Sequence, residues 1–495
     1  MLSFRRDLII NITGSAVNTI AFMWTLRACG SQLDPAALGL YLLVRRIAET
    51  GSNLVQAGTP PTLRRYVAME SSPAHQLAYL YSALSITGVT IAATLLLGAL
   101  APSALAGLLF GNESDQPAHV LMLTAGFTIS LVVNNLAVSL LSAQGRFFTL
   151  TVVTFLNTVA WLAVALQLNP DRDSILPLLG WHALATTLVS LVVLGLGVLR
   201  LSRIAETAEL HTEFGPFLKY GAPRVLSPFL DAMLVALGPW LLRSDLQTAA
   251  HLAMALMLLR VGQTLVTPAA TVIGTVVART QGAGNAEATA ATLRLTAGVL
   301  TALSLAGFAV LWPWVDTLVE LWLGATPLAA GVTACGSGLL LAMVPFTIFQ
   351  GLKEPIEMLS TRPLTLFGTA LALAVLAGSA FSLSPAIGLG RAVTAAYVAA
   401  YATLALCAIY FLRNQLRTTR YYGLPRLLFA SSFVVAVNLA SAHLASSLTL
   451  YSRLAIAGAA GLCSLSVAIW LVACWRPSGL MRECRAVLSA PTKEN

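Results

Sequence analysis

Residues 34–61 read DPAALGLYLLVRRIAETGSNLVQAGTPP. The run is long enough to cross a bilayer, yet Arg45, Arg46 and Glu49 stand near its middle. A charge at the centre of a membrane helix costs roughly 2.5–3.5 kcal/mol on insertion scales, so it sits there only with a partner or beside a wet cavity. Arg45, Glu49, Asn53 and Gln56 recur at i, i+4, i+8 and i+11, which is one stripe of one helix. Leu, Val, Ile and Ala fill the other faces. The pattern predicts a helix with lipid or protein on most sides and a charged, wet lumen on one. Two readings of the stripe stay open. It is either a cavity wall that receives an anion, with Glu49 as an internal counter-ion, or an Arg45–Glu49 salt bridge that holds two lobes together. Two arginines against one glutamate leave positive charge that a purely structural pair does not need.

The rest of the chain fits a membrane setting. Its 495 residues are 57% hydrophobic and 10% charged, whereas soluble domains carry about 25% charged residues. The expected class is an all-α polytopic membrane protein. A crossing takes roughly 20 residues, so the length admits about fourteen. Spans are expected at 8–29, 36–59, 77–109, 119–143, 148–168, 175–199, 216–242, 249–277, 292–322, 329–352, 363–383, 387–412, 427–447 and 452–474, joined by short loops. The net charge of +9 reads as cytoplasmic loop bias rather than nucleic-acid binding. With the amino terminus inside, twenty of the 29 basic residues fall on cytoplasmic segments and three on outer loops (Arg172, Arg243, Arg453). Both termini are therefore expected in the cytoplasm. The first helix, interrupted by Asn11, Ser15 and Asn18, reads as a retained span rather than a signal peptide.

The remaining basic residues, Arg27, Arg45, Arg46, Arg224, Arg260 and Arg391, fall within or at the edges of predicted helices. Sliding the chain by 214 positions lays AALGLYLLVRRIAET on AHLAMALMLLRVGQT. Arg46 then meets Arg260, Thr50 meets Thr264, Arg65 meets Arg279 and Arg5 meets Lys219. This internal repeat predicts two six-helix lobes, residues 1–205 and 206–412, around a central cationic cavity. Residues 413–495 supply two further helices and a cytoplasmic tail. Transporters built of repeats bind substrate between them.

Other helices carry candidate groups. Asn11, Ser15, Asn18, Phe22 and Thr25 share a face of the first helix and suit either a cavity or polar helix contact. In the seventh, Arg224 and Asp231 share a face, and Pro223, Pro228 and Pro239 are expected to break or kink it. Asp231 is either a coupling site or the partner of Arg224, with the sequence leaning to the second. Thr128, Asn135, Ser139 and Ser142 form a stripe on the fourth helix. Asp316 and Glu320 are expected to be solvated. The six cysteines and six histidines are scattered and indicate neither a disulfide framework nor a metal site. No Walker loop or nucleophile elbow appears, so no enzyme activity is expected.

LGLY at Leu38–Tyr41, the arginine segment that follows it and FLKYGAPR at Phe217–Arg224 give the chain a pattern that resembles the multidrug/oligosaccharidyl-lipid/polysaccharide (MOP) exporter superfamily. Within it the chain looks like the Wzx-type flippases of lipid-linked oligosaccharides. The resemblance implies a flippase for an undecaprenyl-pyrophosphate-linked oligosaccharide, serving O-antigen, lipopolysaccharide or other surface polysaccharide synthesis in the bacterial inner membrane. It implies substrate contacts from Arg45, Arg46, Arg260 and Arg27, to which the second-helix stripe and the seventh-helix face add Asn53 and Arg224 as candidates. It also implies coupling to a proton or sodium ion, at Glu49 or Asp231, with no other cofactor and no metal. Membrane lipids and other polysaccharide assembly proteins are the implied partners. A cation-coupled drug or small-molecule exporter is the competing class. A membrane polymerase or ligase is the third, and the short outer loops speak against it.

Overall fold

Long apolar runs between Gly, Pro, Asn and Ser punctuation make helices, because a backbone in hydrocarbon must satisfy its own hydrogen bonds. The computed structural model describes residues 2–69, 72–110, 117–144, 146–166, 175–204, 213–282, 285–360, 363–416 and 424–474, and no strand occurs among them. Nine of the described helices are long and apolar enough to cross a membrane. Every one of the fourteen expected spans overlies helix. The chain is an all-α, multi-pass membrane protein.

The chain divides into two compact units, Met1–Ala253 and Met254–Asn495. This division falls inside a helix. The first unit contains α1 (Leu2–Gln32), α2 (Pro35–Val55), α3 (Thr59–Met69), α4 (Pro73–Leu100), α5 (Pro102–Phe110), α6 (Pro117–Ala143), α7 (Phe147–Leu166) and α8 (Ile175–Ile204). It continues through the short α9 (Phe214–Pro216), a π turn at Phe217–Gly221 and a 3-10 turn at Ala222–Arg224 to α10 (Leu226–Leu241) and the start of α11 (Leu246–Gly282). Here α2 is central. It packs on α6 and α10 and touches α8, α4 and α5, while α1 lies along α7 and α6 along α8.

Local chemistry sets the ends of α2. Asp34 caps it by accepting from the amides of Ala36 (2.8 Å) and Ala37 (3.0 Å), with Pro35 in the first turn. At the other end Ala57 (φ +49°) and Gly58 (φ +74°) leave the helical region, so the helix expected to reach residue 59 stops at Val55 and resumes as α3. Thr59 closes the break by donating its hydroxyl to the Gln56 carbonyl at 2.7 Å. A side chain at Gly58 would strike the carbonyl of Gly221, which packs against the break.

Of the three expected proline breaks, the irregular segment Phe217–Arg224 accounts for Pro223 alone. Pro228 lies in the first turn of α10, where the missing amide is not needed, and Pro239 lies within its last turn.

The second unit holds the rest of α11, α12 (Ala286–Leu311), α13 (Val315–Leu323), α14 (Pro327–Leu339), α15 (Met343–Leu359), α16 (Leu364–Ile387), α17 (Leu389–Phe411), the short α18 (Arg413–Leu416), α19 (Leu424–Ala445) and α20 (Leu450–Cys474). Gly388 (φ +80°) turns α16 into the antiparallel α17. The final pair is docked by buried polar bonds. Trp314 donates its indole N–H to Asn438 Oδ1 (3.0 Å), and Asn438 Nδ2 donates to Ser464 Oγ (3.2 Å). Glu320, expected to be solvated, instead forms an ion pair with Arg453 of α20, because the docked helix brings that guanidinium over it.

Candidate functional site

The residues that broke the apolar pattern of α2 form one cluster. Arg45 and Arg46 are neighbours in sequence and about 100° apart around the helix. Glu49 lies one turn on, at i+4 from one and i+3 from the other, so its two oxygens serve both. Arg45 Nε donates to Oε1 at 3.1 Å and Arg46 Nη1 to Oε2 at 2.6 Å. The Arg45–Glu49 contact expected from the i, i+4 spacing is present within α2, with Arg46 as an added member. Burial differs along the cluster. Arg46 is 2% exposed, while the side chains of Arg45 and Glu49 are 14% and 24% exposed. Asn53 donates to the Glu49 carbonyl at 3.0 Å, and Thr50 to the Arg46 carbonyl at 2.8 Å.

Arg45 is also covered by rings. Its Cζ lies 4.4 Å from the ring centroid of Phe22 on α1 and 4.4 Å from that of Trp161 on α7. Trp161 in turn stacks on His182 of α8, with centroids 5.0 Å apart and planes 6° from parallel. His182 meets Phe127 of α6 at 4.8 Å. A guanidinium against an aromatic face gains about 0.5–2 kcal/mol, more where water is excluded.

The other expected residues lie elsewhere or carry no description. Arg27 lies 5.3 Å over Trp24 of its own helix. Arg224 folds back on the preceding turn, with Cζ 4.0 Å from the Tyr220 ring centroid and Nη1 on the Tyr220 carbonyl at 3.3 Å. Among the described residues no ion pair joins it to half-buried Asp231, so the favoured pairing of these two does not form. The irregular segment that ends at Arg224 lays the guanidinium over its own aromatic neighbour instead. The side chains of Arg260, Thr264, Arg65 and Arg279 lie outside the described residues, as does that of Asn11. Among the described residues no group of three His, Cys, Asp or Glu side chains could hold a metal.

Helix contacts use Asn18 of the α1 face and, on α6, Asn134 beside the predicted stripe. Asn18 Oδ1 accepts from the Thr158 hydroxyl of α7. Asn134, next to the predicted stripe on α6, accepts from Asn157 Nδ2 (2.9 Å) and the Ser190 hydroxyl (3.2 Å). Sequence reasoning missed Trp161, which packs against Arg45, and His182, which stacks on Trp161.

These features define a polytopic helical membrane protein whose first unit buries a charged, aromatic-lined cluster. No protein-family profile matches the chain, and no curated protein matches its sequence. Solved structures do. The lipid II flippase MurJ in an inward closed conformation aligns over 94% of this chain and 97% of its own, with TM-score 0.66 and 12% identity. The Vibrio cholerae MATE transporter VcmN covers 85% of this chain and all of its own at TM-score 0.61 and 16% identity. A MOP superfamily transporter from Pyrococcus furiosus covers 84% of this chain and 96% of its own at 0.56 and 18%. At these identities the likeness is one of fold, which the chain shares with these structures over most of its length.

Proposed function

We propose that the protein is a flippase of the bacterial inner membrane. It carries an undecaprenyl-pyrophosphate-linked oligosaccharide from the inner to the outer leaflet by alternating access, for surface polysaccharide synthesis. The observation that carries the reading is the pair Arg45 and Arg46 sharing the single carboxylate of Glu49 within a membrane helix. A pyrophosphate diester bears about two negative charges, and planar guanidinium forks match phosphate oxygens in geometry as well as charge. A polyprenyl tail can stay in the bilayer while its charged head follows an arginine-bearing path, so lumen arginines suit an anionic lipid better than a cationic drug.

In this reading Arg46 and its repeat mate Arg260 receive the pyrophosphate. Arg27, Arg224 and Asn53 complete the contacts to head group and sugars. Glu49 and Asp231 are the candidates for a coupling proton or sodium site. The two six-helix lobes (1–205 and 206–412) alternate access, and both termini face the cytoplasm.

The likeness to MATE structures supports a second reading, a cation-coupled exporter of small molecules. Complementation separates the two. A strain lacking its oligosaccharide flippase regains surface polysaccharide when it expresses this chain, and loses it again when the proton and sodium gradients are collapsed. Resistance to cationic dyes without restored polysaccharide selects the exporter.

A further inference from the structure

The segment FLKYGAPR at Phe217–Arg224 lays its tyrosine, glycine and arginine against the broken end of α2. Gly221 meets the break backbone to backbone. A Cβ on Gly58 would lie 2.5 Å from the Gly221 carbonyl oxygen, and one on Gly221 would lie 2.8 Å from Thr62 Oγ1 of α3. The preceding residue, Tyr220, is held through its ring as well. Tyr66, one turn beyond Thr62 on α3, meets that ring edge-on, with centroids 6.2 Å apart and planes at 86°. Tyr66 stacks in turn on Tyr79 of α4 at 5.4 Å and 30°. The turns that follow the break therefore hold Tyr220 both by its neighbour's backbone and by its ring. All of these residues belong to the first unit.

Arg224 rests on the ring so held. Its Cζ lies 4.0 Å from the Tyr220 centroid and its Nη1 donates to the Tyr220 carbonyl at 3.3 Å. Among the described residues no carboxylate pairs with it, and its other N–H groups have no hydrogen-bond partner. The choice of a ring over a carboxylate has a chemical consequence. A carboxylate neutralises a guanidinium and fills its fork. A ring attracts the cation to one face and leaves the charge and the in-plane N–H groups free. Arg45 and Arg46 share one carboxylate, whereas Arg224 keeps its whole charge. It is half-buried rather than enclosed, so an anion can reach it from outside.

We propose that Tyr220 is a positioning residue for Arg224, with Tyr66 behind it. The two tyrosines present an unneutralised guanidinium to the pyrophosphate head group of the cargo. This role rests on the flippase reading above. Neither tyrosine needs to touch the cargo, because each acts through Arg224.

The test is the binding of undecaprenyl pyrophosphate to the purified full-length protein in detergent. The parent protein should bind it. Tyr220→Leu should bind roughly two- to fivefold more weakly, the factor that a cation–π contact at a partly exposed site represents. Tyr66→Leu should lose less, and Tyr220→Phe, which keeps the ring, should match the parent. Tyr410→Leu removes a ring of the same kind, 4.1 Å from Arg413, and should have no effect. The decisive arm repeats both leucine changes on Arg224→Gln, where neither should weaken binding further. A tyrosine with a merely structural role would weaken it in both backgrounds. Should Tyr220→Leu fail to fold, Tyr66→Leu carries the same comparison. Parent-like binding by the leucine variants, or equal losses in the two backgrounds, overturns the positioning role and leaves the flippase reading standing. No binding by the parent protein removes the flippase reading, and this role with it.

Discussion

The two repeat mates α2 and α11 begin alike and diverge where the charges lie. Each is capped by an aspartate. Asp34 accepts from two amides at the start of α2, and Asp245 accepts from the Thr248 amide (3.0 Å) and hydroxyl (2.6 Å) at the start of α11. In the 214-residue register Arg46 faces Arg260, yet Glu49 faces Gln263 and Arg45 faces Leu259, which is 1% exposed. The α2 break at Ala57–Gly58 falls opposite Thr271 and Val272, and α11 runs on without interruption to Gly282. One copy thus combines an internal counter-ion with a broken end, and the other has an arginine with no carboxylate one turn away in a continuous helix. The repeated element is the single arginine. The carboxylate, the second arginine and the break belong to α2 alone.

The largest effect is expected from making α2 resemble α11. Glu49→Gln removes the negative charge shared by Arg45 and Arg46, the latter 2% exposed, and turns one of the two acceptor oxygens into a donor. Removing one partner of a buried ion pair costs about 3–5 kcal/mol, so the melting temperature in detergent should fall sharply and transport should cease. The reverse change in α11, Gln263→Glu, places a carboxylate at i+3 from Arg260 and should leave the protein folded. Similar melting losses in both variants would erase the distinction between the two helices.

A smaller loss is expected at the break. Gly58 has φ +74°, and a Cβ there would meet the Gly221 carbonyl. Gly58→Val, which copies the residue in α11, should cost about 1–3 kcal/mol of strain plus the displacement of the Gly221 segment. Denaturation midpoints that match the parent protein would show that the break is not fixed by this glycine.

The smallest effects belong to the caps, where the helices agree. Asp34→Ala should cost about 1 kcal/mol. The Thr248 hydroxyl, then its amide, hold the Asp245 carboxyl below the usual carboxylate range. Because that shift is downward, its contribution is present above the ordinary carboxylate pKa and fades as pH falls through the lowered value. Melting curves of Asp245→Ala and the parent protein should therefore converge in acid. A gap that widens with falling pH would contradict the assignment.

Much of this was legible in the sequence because charges in a membrane helix are costly and stand out. Arg45, Arg46 and Glu49 announced themselves, and i, i+4 spacing predicted the Arg45–Glu49 bond. Hydropathy and the Gly, Pro, Asn and Ser punctuation located the spans. What covers Arg45 was not legible. Phe22, Trp161 and His182 come from three other helices, and an aromatic residue in an apolar run reads the same whether it faces lipid or a guanidinium. The i+3 reach of Arg46 was missed because its position lies off the stripe. The preference of Arg224 for Tyr220 over Asp231 depends on the irregular backbone at Phe217–Arg224, which a helical wheel cannot represent.

The central claim, that an arginine path moves an anionic lipid head group, is tested most directly in proteoliposomes holding the purified protein and an undecaprenyl-pyrophosphate-linked oligosaccharide. Translocation is read as the growth of sugar accessible to an added lectin. The account predicts movement by the parent protein, little or none by Arg46→Ala and Arg260→Ala at equal reconstitution, and partial recovery by Arg46→Lys if charge alone is required. Undiminished translocation by both alanine variants would contradict it.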